Sequence, residues 1–145
     1  HTLTFEPTST AGAAIASLQQ TLESTSDISV LVVGFPGAVQ AIAFADDNLV
    51  PLAGACRVRF VNASSDNAAY DVYVGDTKQV SALAARTASD YVTLVPATYT
   101  FTFRDPASGA TVLTVADQAI GEGRVATFYA AGAVGQLSSI ASTDR

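Results

Sequence analysis

Apolar and polar residues alternate along this chain in short bursts of period two, closed by Pro, Gly, Asn and Asp, which is the signature of short strands joined by turns. Leu3 and Phe5 alternate with Thr2, Thr4 and Glu6, and the run stops at Pro7. Gly12 to Gln20 is ambiguous, because Ile15, Leu18 and Leu22 recur at helical spacing. Ile28 to Val33 and Ala38 to Phe44 flank Gly34-Phe35-Pro36-Gly37 and read as a hairpin. Further strands are predicted at Cys56 to Asn62, Asp71 to Val74, Lys78 to Leu83, Tyr91 to Val95, Tyr99 to Phe103, Thr111 to Val115, Val125 to Ala131 and Val134 to Ile140. In the first of these, Cys56, Val58 and Phe60 share one face and Arg57, Arg59 and Val61 the other, so Cys56 points into a core or at an interface. The pattern as a whole predicts an all-β chain, an Ig-like antiparallel β-sandwich of about eight strands per full unit.

The chain also repeats itself. Thr2, Thr4 and Phe5 match Thr98, Thr100 and Phe101; Gly12-Ala13 matches Gly109-Ala110; Gly34, Gly37, Ile42 and Asp46 match Gly132, Gly135, Ile140 and Asp144. One folding unit used twice explains such similarity at domain length. It also settles Gly12 to Gln20, whose counterpart Ala110 to Ala116 is rich in β-branched residues, as a strand. Residues 1–47 then form the C-terminal half of a first sandwich, residues 48–55 a linker with turn formers, and residues 56–145 a complete sandwich. A half-sandwich of this size leaves strand edges and an apolar face uncovered. Its completing strands are expected from copies of the same chain or from the chain's own cleaved N-terminal segment. The residues expected at that interface are Leu3, Phe5, Ile15, Leu18, Val30, Val32 and Cys56.

Composition narrows the partners. Apolar residues make up 49% and charged residues 14% of the 145 positions, which excludes ordinary disorder and leaves a surface of Ser, Thr, Ala and Gly. The net charge of −6 and the lack of any basic run argue against nucleic acid. The uncharged run from Ile28 to Ala45 is long enough to span a membrane, but its central turn makes it a buried hairpin instead. One lysine, many small hydroxyl residues and no recognisable signal peptide fit a mature exported chain or a fragment.

Candidate chemistry is sparse. His1 is the sole histidine, so neither a copper brace nor a histidine-based triad can be assembled, and no catalytic residue, cofactor or metal ligand is assigned. Asp66 and Asp71 flank a loop-to-strand junction, and Asp46-Asp47-Asn48 clusters three oxygen-bearing side chains, but neither has the alternation of a calcium loop. Turn capping is the better reading of both. Ser64, Asp66, Asn67 and Asp71 are the loop positions best placed for ligand contact. Asn62-Ala63-Ser64 satisfies the glycosylation sequon.

The stretch VNASSDNAAYDVYV, Val61 to Val74, resembles the signature of a bacterial family, domain of unknown function 4397, and LVPATY at Leu94 to Tyr99 continues the resemblance. Asn62 stands where that family carries histidine, and Ser65 and Ala68 where it carries prolines. The resemblance implies a secreted or surface-anchored β-sandwich, often in tandem, with no known chemistry. Together these readings predict a non-catalytic extracellular structural or assembly subunit whose subunits join by β-strand complementation. The alternative is a cell-surface module binding carbohydrate or peptide, with an enzyme third.

Overall fold

The computed structural model describes residues 1–8, 12–47, 49–66 and 68–144. Asn48 and Asn67, two of the candidate positions, lie outside the described residues. The chain divides into two compact units, His1–Asp47 and Asn48–Arg145. Among the described residues all regular structure is β, and no helix is long and apolar enough to cross a membrane.

Unit 1 consists of two hairpins. β1 (Thr2–Phe5) pairs with β2 (Ala16–Gln19), and β3 (Asp27–Phe35) pairs with β4 (Ala38–Asp46) through the two-residue turn Pro36-Gly37. The uncharged run from Ile28 to Ala45 is therefore a hairpin, and Gly12 to Gln20 contains a strand rather than a helix.

Unit 2 holds nine strands, counted among the described residues: β5 (Cys56–Ser64), β6 (Tyr70–Val74), β7 (Thr77–Leu83), β8 (Thr87–Ala88), β9 (Val92–Leu94), β10 (Ala97–Arg104), β11 (Thr111–Ile120), β12 (Val125–Gly132) and β13 (Ser138–Thr143). They form two sheets. One runs β11-β10-β6-β7; the other runs β13-β12-β5, with β8 and β9 both pairing along the free side of β5. The pair β5–β12 is parallel, whereas every other pair is antiparallel.

The core lies between these sheets, because alternate residues of each strand point inward. Phe60 of β5 sits edge-on to Phe101 and Phe103 of β10, with ring centroids 5.2 and 6.2 Å apart, and Phe101 lies 4.7 Å from Phe128 of β12. Burying an aromatic side chain of this kind contributes about 2–3 kcal/mol. The fourteen buried residues of the cluster divide evenly. Cys56, Val58, Phe60, Tyr70, Val72, Val74 and Leu83 come from β5–β7, and Phe101, Phe103, Val115, Ile120, Ala126, Phe128 and Ala130 from β10–β12. Half of the core thus comes from the segment before β10.

Two of the register shifts in the β11-β10-β6-β7 sheet carry a residue with positive φ. Asp71 of β6 faces both Ser81 and Ala82 of β7, and Ala82 adopts φ 46°. Asp117 lies where β11 shifts register against β10 and adopts φ 56°. A left-handed backbone is tolerable for Asp but costs an alanine about 1 kcal/mol. At Ala82 the carboxylate of Asp71 offsets that cost by accepting the Ala82 N–H at 2.8 Å. The bulge falls on an edge strand, where it discourages pairing with another chain.

Pairing registers in the two units correspond closely. Leu3↔Leu18 and Phe5↔Ala16 in unit 1 match Phe101↔Val115 and Phe103↔Leu113, while Ile28↔Ala45 through Val33↔Gln40 match Ala126↔Thr143 through Ala131↔Ser138. This corrects the sequence alignment of β1, in which Phe5 fell on Phe101. The identities fit both alignments equally, since Thr2, Thr4 and Phe5 also match Thr100, Thr102 and Phe103, and a slip of two residues keeps every side chain on its face, so neither identity nor hydrophobic pattern can detect it. Gly34 and Gly132 correspond in detail, at φ 127° and 112°. A Cβ at Gly132 would lie 2.6 Å from the Gln136 carbonyl oxygen, and one at Gly34 would lie closer still to that of Ala38, the residue corresponding to Gln136.

Candidate functional site

Of the loop positions singled out for ligand contact, Ser64, Asp66 and Asp71 are each engaged by hydrogen bonds within the fold. Ser64 is fully buried, and its N–H reaches Asn62 Oδ1 at 3.2 Å. Asp66 accepts the Ala68 N–H at 3.1 Å on one oxygen and the Val134 N–H at 2.6 Å on the other, which ties the β5–β6 loop to the β12–β13 turn. Asp71 is buried and spans the β6–β7 bulge, bonded to the Lys78 ammonium and to the Ala82 N–H. The Lys78 hydrogen bond, and after it the Ala82 N–H, hold the Asp71 carboxyl below its usual range, and the same pair raises Lys78. Asp66 and Asp71 therefore do separate structural work, and no site joins them.

Asn62, the residue of the sequon, is fully buried. Its amide nitrogen donates to the carbonyls of Ala68 and Leu83, each at 2.9 Å, so the sequon asparagine is enclosed in the fold and engaged. The Ser108 N–H, with the Ser108 hydroxyl and then the Ala107 N–H, lowers Asp105 and closes the β10–β11 loop. Cys56 takes the core position of the two open to it. It is fully buried, its thiol is 3.4 Å from the Leu94 carbonyl, and burial raises its pKa. It is therefore not presented on a surface for the interface role expected of it.

The aromatic residues likewise build the fold. Phe101, Phe103 and Phe128 are core residues. Tyr99 stacks on Phe101 at 6.0 Å and donates to the Val95 carbonyl. Tyr91 packs against the guanidinium groups of Arg57 and Arg59, 4.6 and 4.9 Å from the ring centroid. At the amino terminus, the His1 ammonium donates to the Gln20 carbonyl at 2.9 Å.

The remaining six expected interface residues lie on or beside the strands of unit 1. By register, Leu3, Phe5, Leu18, Val30 and Val32 correspond to Phe101, Phe103, Val115, Phe128 and Ala130, all core residues of unit 2, and Ile15 corresponds to Val112, which packs against that core. Phe101, Phe103 and Ala130 are fully buried, whereas Val32 and Ile15 are 41% and 46% exposed and Leu3, Phe5, Leu18 and Val30 are half-buried. Ile15 and Val39, with Gly34 and Pro36, line an open cavity of ≈ 670 Å³. Among the described residues, β1 pairs with β2 alone and β3 with β4 alone. Their counterparts β10 and β12 have a second neighbour each, β6 and β5.

One polar contact accompanies this face and is missing from the sequence-based assignment. Ser29 Oγ donates to Asp46 Oδ2 at 2.9 Å, and its counterpart Thr127 Oγ1 donates to Asp144 Oδ2 at 2.6 Å. In unit 2 Arg59 of β5 completes the arrangement, its Nε donating to Thr127 Oγ1 at 3.2 Å. The signal was available. A hydroxyl residue lies 17 positions before each of the two matched aspartates.

A model of the family described as domain of unknown function (DUF4397) matches residues 57–145, well over half of the chain. The chain belongs to this family. The match spans β5 to β13, so the DUF4397 domain is unit 2. No curated protein matches the chain. Among solved structures, the C-terminal domain of AlgF from P. aeruginosa is similar at 18% identity and a TM-score of 0.49, over 62% of this chain and 98% of that one.

Proposed function

We propose that this protein is a non-catalytic structural module of the cell exterior, built from one complete DUF4397 sandwich and the second half of another, and that its working surface is the open face of unit 1. The observation that carries this reading is the correspondence between the units. They share pairing registers, the constrained glycine and the hydroxyl–aspartate bond, yet among the described residues only unit 2 has strands supplying the other half of a core. The inward commitment of Ser64, Asp66, Asp71 and Asn62 supports a structural rather than a catalytic role. The small-residue, low-charge surface supports an extracellular location.

Amide hydrogen exchange on the intact chain tests the reading. Half-formed units open locally at low free energy. The amides of β1 and β3 are therefore expected to exchange at least ~100-fold faster than those of β5 and β12 when the purified 14.8 kDa chain is held as a monomer. Equal protection of the two units would show unit 1 to be self-sufficient and would end the proposal.

A further inference from the structure

We infer that unit 2 pairs with a second copy of itself along β13, antiparallel across a two-fold axis that passes through Ile140. This contact involves unit 2 alone and is independent of what completes unit 1.

Among the described residues unit 2 has four sheet edges, and three of them are guarded. β7 carries Lys78 and the Ala82 bulge. β11 carries Asp117, at φ 56°, where its register shifts against β10. β8 and β9, which share one edge, are only two and three residues long. Charges, bulges and short strands are the devices that keep an edge from pairing with another chain. β13 has none of them. It holds no charged residue and no proline, and its register with β12 is unbroken over all six residues. Among the described residues it pairs with β12 alone, and Ile140 at its centre is 57% exposed.

The strand is also its own complement. The Asp144 N–H reaches the Val125 carbonyl at 2.9 Å, which fixes the alternation of backbone groups along β13. Those of Ile140 and Ser142 turn to β12, and those of Ser139, Ala141 and Thr143 turn to the open edge. Two copies meeting with Ile140 opposite Ile140 bring Ser139 opposite Ala141 in both directions. Each of these pairs closes two N–H to C=O hydrogen bonds. Ser138 then lies opposite Ser142, so small hydroxyl residues flank the apolar centre on both sides. A two-fold contact sets the residue on its axis against its own copy, which disfavours a charge there and suits an isoleucine. The neighbouring two-fold register, centred on Ala141, places Ile140 opposite Ser142 and loses the apolar pair.

A contact made by one strand edge is small, like those of weak and transient interfaces, so the association follows concentration. Sedimentation equilibrium on the full chain is expected to show the 14.8 kDa monomer when dilute and a growing dimer fraction toward about 1 mM. Ala141→Pro removes an N–H aimed at the open edge and none bonded to β12, a position where an edge strand tolerates proline. It should abolish the dimer while amide exchange at β12 stays that of the parent. Ile140→Lys sets two like charges together and should weaken association at least 10-fold, with part of the loss recovered as salt is raised. A substitution that merely damaged the fold would show no such recovery. Ile140→Cys should form a disulfide-linked dimer on oxidation, since Cys56 is buried and does not compete. A monomer at every concentration overturns the inference, and so does a dimer that survives Ala141→Pro. Cross-linking through Ala141→Cys in place of Ile140→Cys overturns the register.

Discussion

Arg59 and Thr127 face each other across the parallel pair β5–β12, and the Arg59 Nε donates to the Thr127 hydroxyl at 3.2 Å. Thr127 passes the interaction on to Asp144 at 2.6 Å, so one fully buried hydroxyl links the first strand of unit 2 to its end. Thr127→Val keeps the shape and removes both bonds. It is expected to destabilise unit 2 by about 1–3 kcal/mol in urea unfolding, since it takes one partner from the buried Arg59 and one from the half-buried Asp144. Thr127→Ser, which keeps the hydroxyl, should lose less than half as much.

Phe60 touches three other rings and draws the two sheets together. Phe60→Ala should cost about 3–5 kcal/mol, through lost transfer free energy and the cavity left behind. Phe60→Leu should recover most of it. A loss below about 1 kcal/mol for the alanine variant would contradict the packing described for unit 2.

Gly132 and Gly135 both have positive φ, but only at Gly132 would a Cβ meet backbone atoms. Gly135→Ala should therefore carry the conformational cost alone, about 1 kcal/mol. Gly132→Ala adds a steric conflict with the Gln136 carbonyl and should cost clearly more, read as a larger fall in Tm.

Much of this architecture could be read from residue order, and the remainder failed for identifiable reasons. The hairpin across Pro36-Gly37 and the turn at Gly75-Asp76 were legible because turn chemistry and alternation are local. The parallel pairing of β5 with β12 was not, because it joins residues about 68 apart whose alternation is compatible with several neighbours. β8 is two residues long and carries no period at all. The strands carrying Leu3, Phe5 and Val30 were legible because period-two alternation is local. Ser29–Asp46 went unread because a serine on a strand looks like any solvated serine until its repeat is superposed by register. Asp66 and Asp71 were visible as loop carboxylates, but whether a carboxylate faces solvent or an N–H depends on chain it meets far away, as Val134 shows.

The Asp71–Lys78 pair makes stability depend on pH at the acid end. Because the folded-state pKa of Asp71 lies below its unfolded value, its contribution is present above the unfolded pKa and is lost as pH falls through the folded one. Asp105 acts in the same direction. Unfolding followed from neutral pH into the acid range should show stability falling below about pH 4, the ordinary carboxylate range. Asp71→Asn should flatten that fall and also loosen the Ala82 bulge. Lys78 has the opposite sign. Its raised pKa contributes stability that is present below the unfolded value and is lost as pH rises through the folded one.

Cys56 offers a readout of unit 2 that needs no label elsewhere, because the sequence has one cysteine. The thiol is fully buried, burial raises its pKa, and it lies against the Leu94 carbonyl. Thiolate is the reactive form, so both access and ionisation oppose reaction in the folded chain. Reaction with a thiol reagent should therefore follow unfolding, slow in the native protein and fast in denaturant. If opening and closing are rapid, the native rate reports the open population, and Phe60→Ala should accelerate labelling by roughly 100-fold or more, in line with its loss of stability. Rapid labelling of the native chain would place Cys56 outside the core and undo the packing on which the division of core residues between the two halves rests.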